Sequence, residues 1–282
     1  MSLFVQTNVS SLVAQENFST AQTKLNKTME QLSSGYKINS AADDAAGVGI
    51  ASRLSAQVAA YSSASQNANN AISMTQTADD GASQISDILT RLSQLAVEGS
   101  DGTMSASDSA NLQQEFAAQV QEISNIASNT TFNGINLLSG AAQTTATSFQ
   151  VGISAGAANQ VAVAFGGADA TNLVAGGALS TCSVSNAADA ANAITTINTA
   201  IQNLSSIRAG FGAGMDALQD TVSNLSSMST NTSAALSNVQ DVDVASATAS
   251  LAQEQVVSQA GEAILAQANQ QPQLAVSLIH GQ

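Results

Sequence analysis

Residues 32–53 read LSSGYKINSAADDAAGVGIASR, and the order of residue types in this stretch decides the fold. Leu32 closes a run in which Phe18, Ala21, Leu25, Thr28 and Leu32 recur at spacings of three and four, a narrow coiled-coil seam with one polar position. Such a helix stops near Gly35, because glycine enters the left-handed conformation without a Cβ clash. Ser40-Ala41-Ala42-Asp43 then has the pattern of a capping box at the positive end of a new helix. That second helix is expected to carry Ile50, Leu54, Val58, Ile72, Ile85, Ile88, Leu89, Leu92 and Leu95.

Further along, Glu98-Gly99-Ser100-Asp101-Gly102 has turn composition, and Ser105 to Asp108 offers another capping box before Leu112, Phe116, Val120 and Ile123. Two antiparallel helices joined by a short loop follow from this. Asn133-Gly134, set between Phe132 and Ile135, predicts a tight turn with positive φ. From 141 to 187 the texture changes to Gly, Ala, Thr and Ser, with alternation at Phe149–Ile153 and Val161–Phe165 that predicts short strands. Helical spacing resumes at Ala190 with Ile194, Ile197, Ile201, Leu204 and Ile207, and a heptad run follows through Phe211, Met215, Leu218, Val222 and Leu225. Gly210, Gly212 and Gly214 interrupt that run at about 1 kcal/mol each relative to alanine, so a bend or a close contact is expected there. The last segment offers Val257, Gly261, Ile264, Ala268, Gln271, Ala275 and Leu278 as one stripe. Pro272 is the only proline, so helices run on almost anywhere. The fold class expected is mainly α: long antiparallel helices forming a terminal coiled coil and a helical bundle, with a small β-hairpin region in the middle.

Composition sets what such helices can bury. Of 282 residues 44% are hydrophobic, but much of that is alanine, aromatics are 3% and tryptophan is absent. Thin layers of closely approaching helices suit this material better than a wide core. Only 9% of residues are charged, and the net charge is -14. The basic residues Lys24, Lys27, Lys37, Arg53, Arg91 and Arg208 are scattered, which argues against nucleic-acid and anionic-membrane partners. The single cysteine, Cys182, excludes an intrachain disulfide. The start has no basic region of a signal peptide, and no stretch reaches the ~18 apolar residues of a membrane span. The expectation is a chain that is cytosolic or exported by a route that removes no signal.

No reaction chemistry assembles from these residues. Asp43-Asp44 and Asp79-Asp80 point about 100° apart on a helix, which suits capping and solvation rather than a metal or acid/base site. His280, the only histidine, stands two residues from the C-terminus, far from a plausible partner for Cys182. Gly47-Val48-Gly49 and Gly212-Ala213-Gly214 lack the spacing of a phosphate-binding loop. Catalytic, cofactor and metal sites are therefore not expected, and neither is an enzyme. A single helix with a narrow stripe is marginal by itself, so the two ends need each other and neighbouring copies to become ordered. Ends that gain structure on association suit a polymer.

The residues just quoted resemble the bacterial flagellins over nearly the whole chain. The N-terminal likeness runs through Asn8, Leu12 and Gln15, Leu32 to Arg53, Gln66 to Asn70 and Thr131 to Gly134; at the other end it runs through Asp241-Val242-Asp243, Gln259-Ala260-Gly261, LAQANQQP at 265–272 and Ser277-Leu278. The resemblance implies a short form without large outer domains. Residues 1–42 and 242–282 would pair as the inner coiled coil lining the filament channel, disordered in free subunits. Residues 43–241 would form a helical bundle that includes a short β-rich variable region at 141–187. Terminal packing is then assigned to Phe18, Leu25, Leu32, Val257, Ile264, Ala268 and Leu278. A contact with Toll-like receptor 5, or between subunits, falls on Arg91, Leu95 and Glu115; Ser93 and Gln94 stand where the family often has charges. The function implied is a secreted, extracellular homopolymer for swimming motility, exported unfolded by the flagellar type III system, with an export chaperone, cap and junction proteins as partners. A hook–filament junction protein is the alternative within the family.

Overall fold

In the computed structural model the described residues are 7–140 and 146–280, the side chains of 271–280 excepted. Among them the α-helices are α1 (Val9–Ser34), α2 (Ala45–Gly99), α3 (Ala106–Asn129), α4 (Ala187–Gln240) and α5 (Val244–His280). Two antiparallel hairpins complete the regular structure: β1 (Thr131–Phe132) with β2 (Ile135–Asn136), and β3 (Thr147–Gln150) with β4 (Gln160–Val163). The architecture is mainly α with a small β region in the middle. Packing divides the chain into two compact units, Met1–Ala56 with Asn231–Gln282, and Gln57–Thr230.

The second unit holds the larger core. Ala64, Ala68, Ala71, Ala78 and Ala82 are buried along α2, where small side chains let neighbouring helices come close. Further along α2 the seam widens to Ile85, Leu89, Leu92 and Leu95, which share one cluster with Phe116 and Ile123 of α3 and with Ile197, Leu204, Phe211 and Leu218 of α4. Each such side chain contributes about 1.5–3 kcal/mol when fully buried. Ion pairs join the same helices: Arg208 of α4 donates through Nε to Asp79 of α2 at 2.8 Å, and Arg91 of α2 donates to Glu115 of α3. Gly214 keeps α4 helical by close contact, since a Cβ there would stand 3.0 Å from Val163 of β4. Gly210 and Gly212 face open space.

Local signals decide the ends of these elements. Ser105 caps α3 by accepting from the Asp108 amide at 3.2 Å, the arrangement predicted from its sequence. Asn133 and Gly134 both take positive φ, 50° and 78°, in the β1–β2 turn. Asn136 then donates to the carbonyls of Ala127 and Ser128 at the end of α3 and accepts from the amides of Leu138 and Ser139. The strands predicted at 149–153 and 161–165 lie earlier, with Phe149 opposite Val161. The ladder stops because the amides of both Val151 and Gly152 turn to the Asn159 carbonyl. Between β4 and α4 the chain is irregular, with a 3-10 turn at Ala175–Gly177, and it contributes Leu173, Leu179 and Val184 to the core. The region is thus less strand-like than its alternating sequence suggests.

In the first unit, Gly35 ends α1 in the left-handed conformation, φ 77°. Its carbonyl accepts from Val242 N, and Lys37 N donates to the Gln240 carbonyl at 2.7 Å, so the segment after α1 and the segment before α5 form one short antiparallel bridge at Tyr36 and Asp241. The expected capping box is resolved differently. Asp43 does reach back to the amides of Asn39 and Ser40, but α2 is capped by Asp44, which accepts from Ala46 N and Gly47 N. Two adjacent carboxylates divide the work: one closes the turn, and the other meets the helix amides.

Candidate functional site

The antiparallel pair of α1 and α5 is where the two ends of the chain meet. Along α1 the less exposed side chains are Ser11, Ala14, Phe18, Ala21, Leu25, Thr28 and Leu32. Along α5 they are Ala247, Leu251, Glu254, Ser258, Gly261, Leu265 and Ala268. Both sets alternate spacings of three and four, the signature of a two-helix seam. Gly261 exists in this seam to admit an aromatic ring, because a Cβ on it would lie 3.2 Å from Cδ2 of Phe18. Polar groups cross-link the pair: Asn8 Nδ2 donates to the Ala268 carbonyl at 2.7 Å, Ser11 Oγ to Asn269 Oδ1 at 2.6 Å, and Ser258 Oγ to Gln22 Oε1 at 3.4 Å.

Phe18, Leu25, Leu32 and Ala268 therefore stand in the intrachain seam, whereas Val257 and Ile264 do not. Those two are 49% and 59% exposed on the flank of α5, and the seam takes Ser258 and Leu265 in their stead. An apolar-only reading of the stripe slides off the seam, because two of its positions are filled by Glu254 and Ser258. The side chain of Leu278 lies outside the described residues. Val13 of α1, 52% exposed, continues the same apolar flank by its helical position.

At the turn between α1 and α2, Lys27 Nζ lies 2.8 Å from Asp43 Oδ1. This ammonium first, and the Ser40 amide next, lower the Asp43 carboxyl to about 2. In the bundle unit, Arg91 grips Glu115 Oε1 through Nε at 3.0 Å and through the terminal guanidinium nitrogen at 2.6 Å, and it also reaches Gln94 Oε1 at 3.3 Å. Arg91 and Glu115 are exposed, but Leu95 beside them is fully buried in the core. The surface at this point is the charged pair alone. Sequence reasoning missed Gln94 as a member of this cluster; its spacing of three from Arg91 on one helix was the available signal.

Among the described residues no group of three or more His, Cys, Asp or Glu side chains could hold a metal ion. Cys182 is half-buried, its thiol donates to the Ala178 carbonyl, and burial pushes its pKa up. Such a thiol is a poor nucleophile. No helix among the described residues is long and apolar enough to cross a membrane.

Residues 5–143 match the family model described as the bacterial flagellin N-terminal helical region, and residues 194–279 match that of the C-terminal helical region. The chain is similar to the flagellin of Listeria innocua, with 34% identity covering 98% of this chain and 99% of that one. It is 32% identical to the flagellar filament 33 kDa core protein of Treponema phagedenis, over 98% of this chain and all (100%) of the relative. A solved structure of a putative flagellar hook-associated protein from Vibrio parahaemolyticus shares the fold, with a TM-score of 0.59 at 13% identity, covering 71% of this chain and 100% of that one.

Proposed function

The chain belongs to the bacterial flagellin family, structural subunits that polymerise into the flagellar filament outside the cell, and from that premise we propose that its α1–α5 pair is the element that joins copy to copy. One observation carries the reading: the pair satisfies its own seam with small and polar residues and leaves Val13, Val257 and Ile264 open on one flank. Open apolar side chains in a row are what a neighbouring helix covers. Residues 1–42 with 242–282 form the channel-lining layer in this reading, and 43–241 the surrounding bundle. Phe18, Leu25, Leu32 and Ala268 hold the pair together; Val257 and Ile264 meet the neighbour.

Export as an unfolded chain through the flagellar type III system, with a chaperone before export and a cap at the growing tip, is compatible with a chain that has one cysteine and hence no disulfide to break. Arg91 and Glu115 form the exposed pair on which a Toll-like receptor 5 contact, or a contact between subunits, is proposed. A hook–filament junction role is the second reading, because a hook-associated protein shares the fold; abundance in sheared filaments separates the two.

The test is growth from seeds. Val257→Asp and Ile264→Asp are expected to block elongation on sheared filaments at concentrations where the unaltered chain grows, while the isolated subunit melts as before. Normal elongation of both variants would show that this flank is not where copies meet.

A further inference from the structure

Glu254 occupies a seam position of α5, and its Oε2 is buried with no hydrogen-bond partner. A buried carboxylate oxygen without a donor is costly enough that native proteins seldom keep one without a reason. Beside it runs a groove of about 440 Å³ along the flank of the α1–α5 pair, with Asn17, Thr20, Lys24, Gln253, Glu254 and Val257 among its lining residues. Water or a side chain has room there.

The cations of the chain are divided unevenly. Lys27, Arg91 and Arg208 are engaged by Asp43, Glu115 and Asp79. Lys24, Lys37 and Arg53 form no ion pair among the described residues, and all three belong to the unit that contains α1 and α5. Glu16, Glu30 and Glu262 are exposed on the same two helices, likewise without an ion pair among the described residues. One unit thus presents an acceptor without a donor, cations without carboxylates and carboxylates without cations, and two copies can supply each other.

Resting on the filament reading above, we propose that the groove is the seat of a helix from a second copy of this chain, which donates a hydrogen bond to Glu254 Oε2 and brings a carboxylate to Lys24. Val257 lines the groove and Ile264 lies two helical turns further on the same flank, so the seated helix covers apolar surface while it completes the polar pair. A polar group at a seam position admits one register and penalises the others, because a helix that slips by one turn leaves the carboxylate unmatched. Glu254 in this role costs the single chain stability and is compensated only when a copy docks in register.

The experiment measures the critical concentration for growth on sheared seeds, and the melting of the isolated subunit, for the full chain and for Glu254→Ala and Glu254→Gln. Glu254→Ala is expected to raise the critical concentration about tenfold or more, the effect of losing a hydrogen bond to a charged group. Glu254→Gln retains an acceptor oxygen and is expected to raise it less. Melting of the isolated subunit should be unchanged or higher, since the substitution removes an unsatisfied group. An unaltered critical concentration for Glu254→Ala would overturn the proposal and leave the groove to water. A subunit that melts lower in step with its loss of assembly would also overturn it, by assigning Glu254 to a partner in its own chain such as Lys24. If the unaltered chain fails to grow on seeds, the filament reading itself fails, independently of Glu254.

Discussion

Asp43 shows how a single carboxylate can hold a turn between two helices. It accepts from the amides of Asn39 and Ser40 and faces Lys27 from the neighbouring helix. Its carboxyl sits at about 2 against an ordinary 3.8, so it binds its proton at lower pH in the folded chain than in the unfolded one. The stability it contributes is complete above the unfolded value and is lost as pH falls from 3.8 toward about 2. Asp43→Asn is expected to flatten the acid side of the melting curve in that window, measured by thermal unfolding at a series of pH values; an unchanged acid profile would place the titrating group elsewhere. The role of this residue was only half legible in the sequence. Ser40-Ala41-Ala42-Asp43 has the spacing of a capping box, and the reach of Asp43 back to Ser40 follows from it. That Asp44 and not Ser40 caps α2 depends on Lys27, which draws Asp43 into the turn from a distance in sequence that local pattern does not register.

Periodicity read the helices well and the seam of one of them poorly. α1 shows Phe18, Leu25 and Leu32 in its seam because large apolar side chains mark the positions. α5 has Glu254, Ser258 and Gly261 at the equivalent places, so the apolar residues one position away from two of them drew the eye to the flank. The error is informative, because a helix whose buried edge is polar and whose open edge is apolar is built to be covered from two sides. Strand positions slipped by two residues for a different cause: Val151 and Gly152 both turn to one carbonyl, which ends the ladder early. Within the seam, Gly261 is the tightest point of the pair. Gly261→Leu is expected to displace the Phe18 ring and destabilise the pair by about 1–3 kcal/mol, the usual penalty of overpacking. Lowered melting of assembled filaments, with the bundle of the isolated subunit unaffected, is the result that checks it; equal melting of the variant filaments would mean that the Phe18 ring has room to move.

For the molecule as a whole, the residues of the large core cluster lie between Ala68 and Leu218, inside the unit that spans Gln57–Thr230. A chain lacking residues 242–282 is therefore expected to keep a cooperative melting transition for the bundle and to lose elongation on seeds altogether. Filament growth by that truncated chain would show that the terminal pair is dispensable. Asn8 and Ala268 are hydrogen-bonded across 260 positions of sequence. Closing a loop of that length in a flexible chain costs about 5 kcal/mol of entropy. A bundle that is already folded shortens the search, because only its two tails remain to find each other. The order of events follows: the middle of the chain sets first, the extremities zip last, and a newly arrived molecule can still be choosing its place in the lattice when most of it has finished folding.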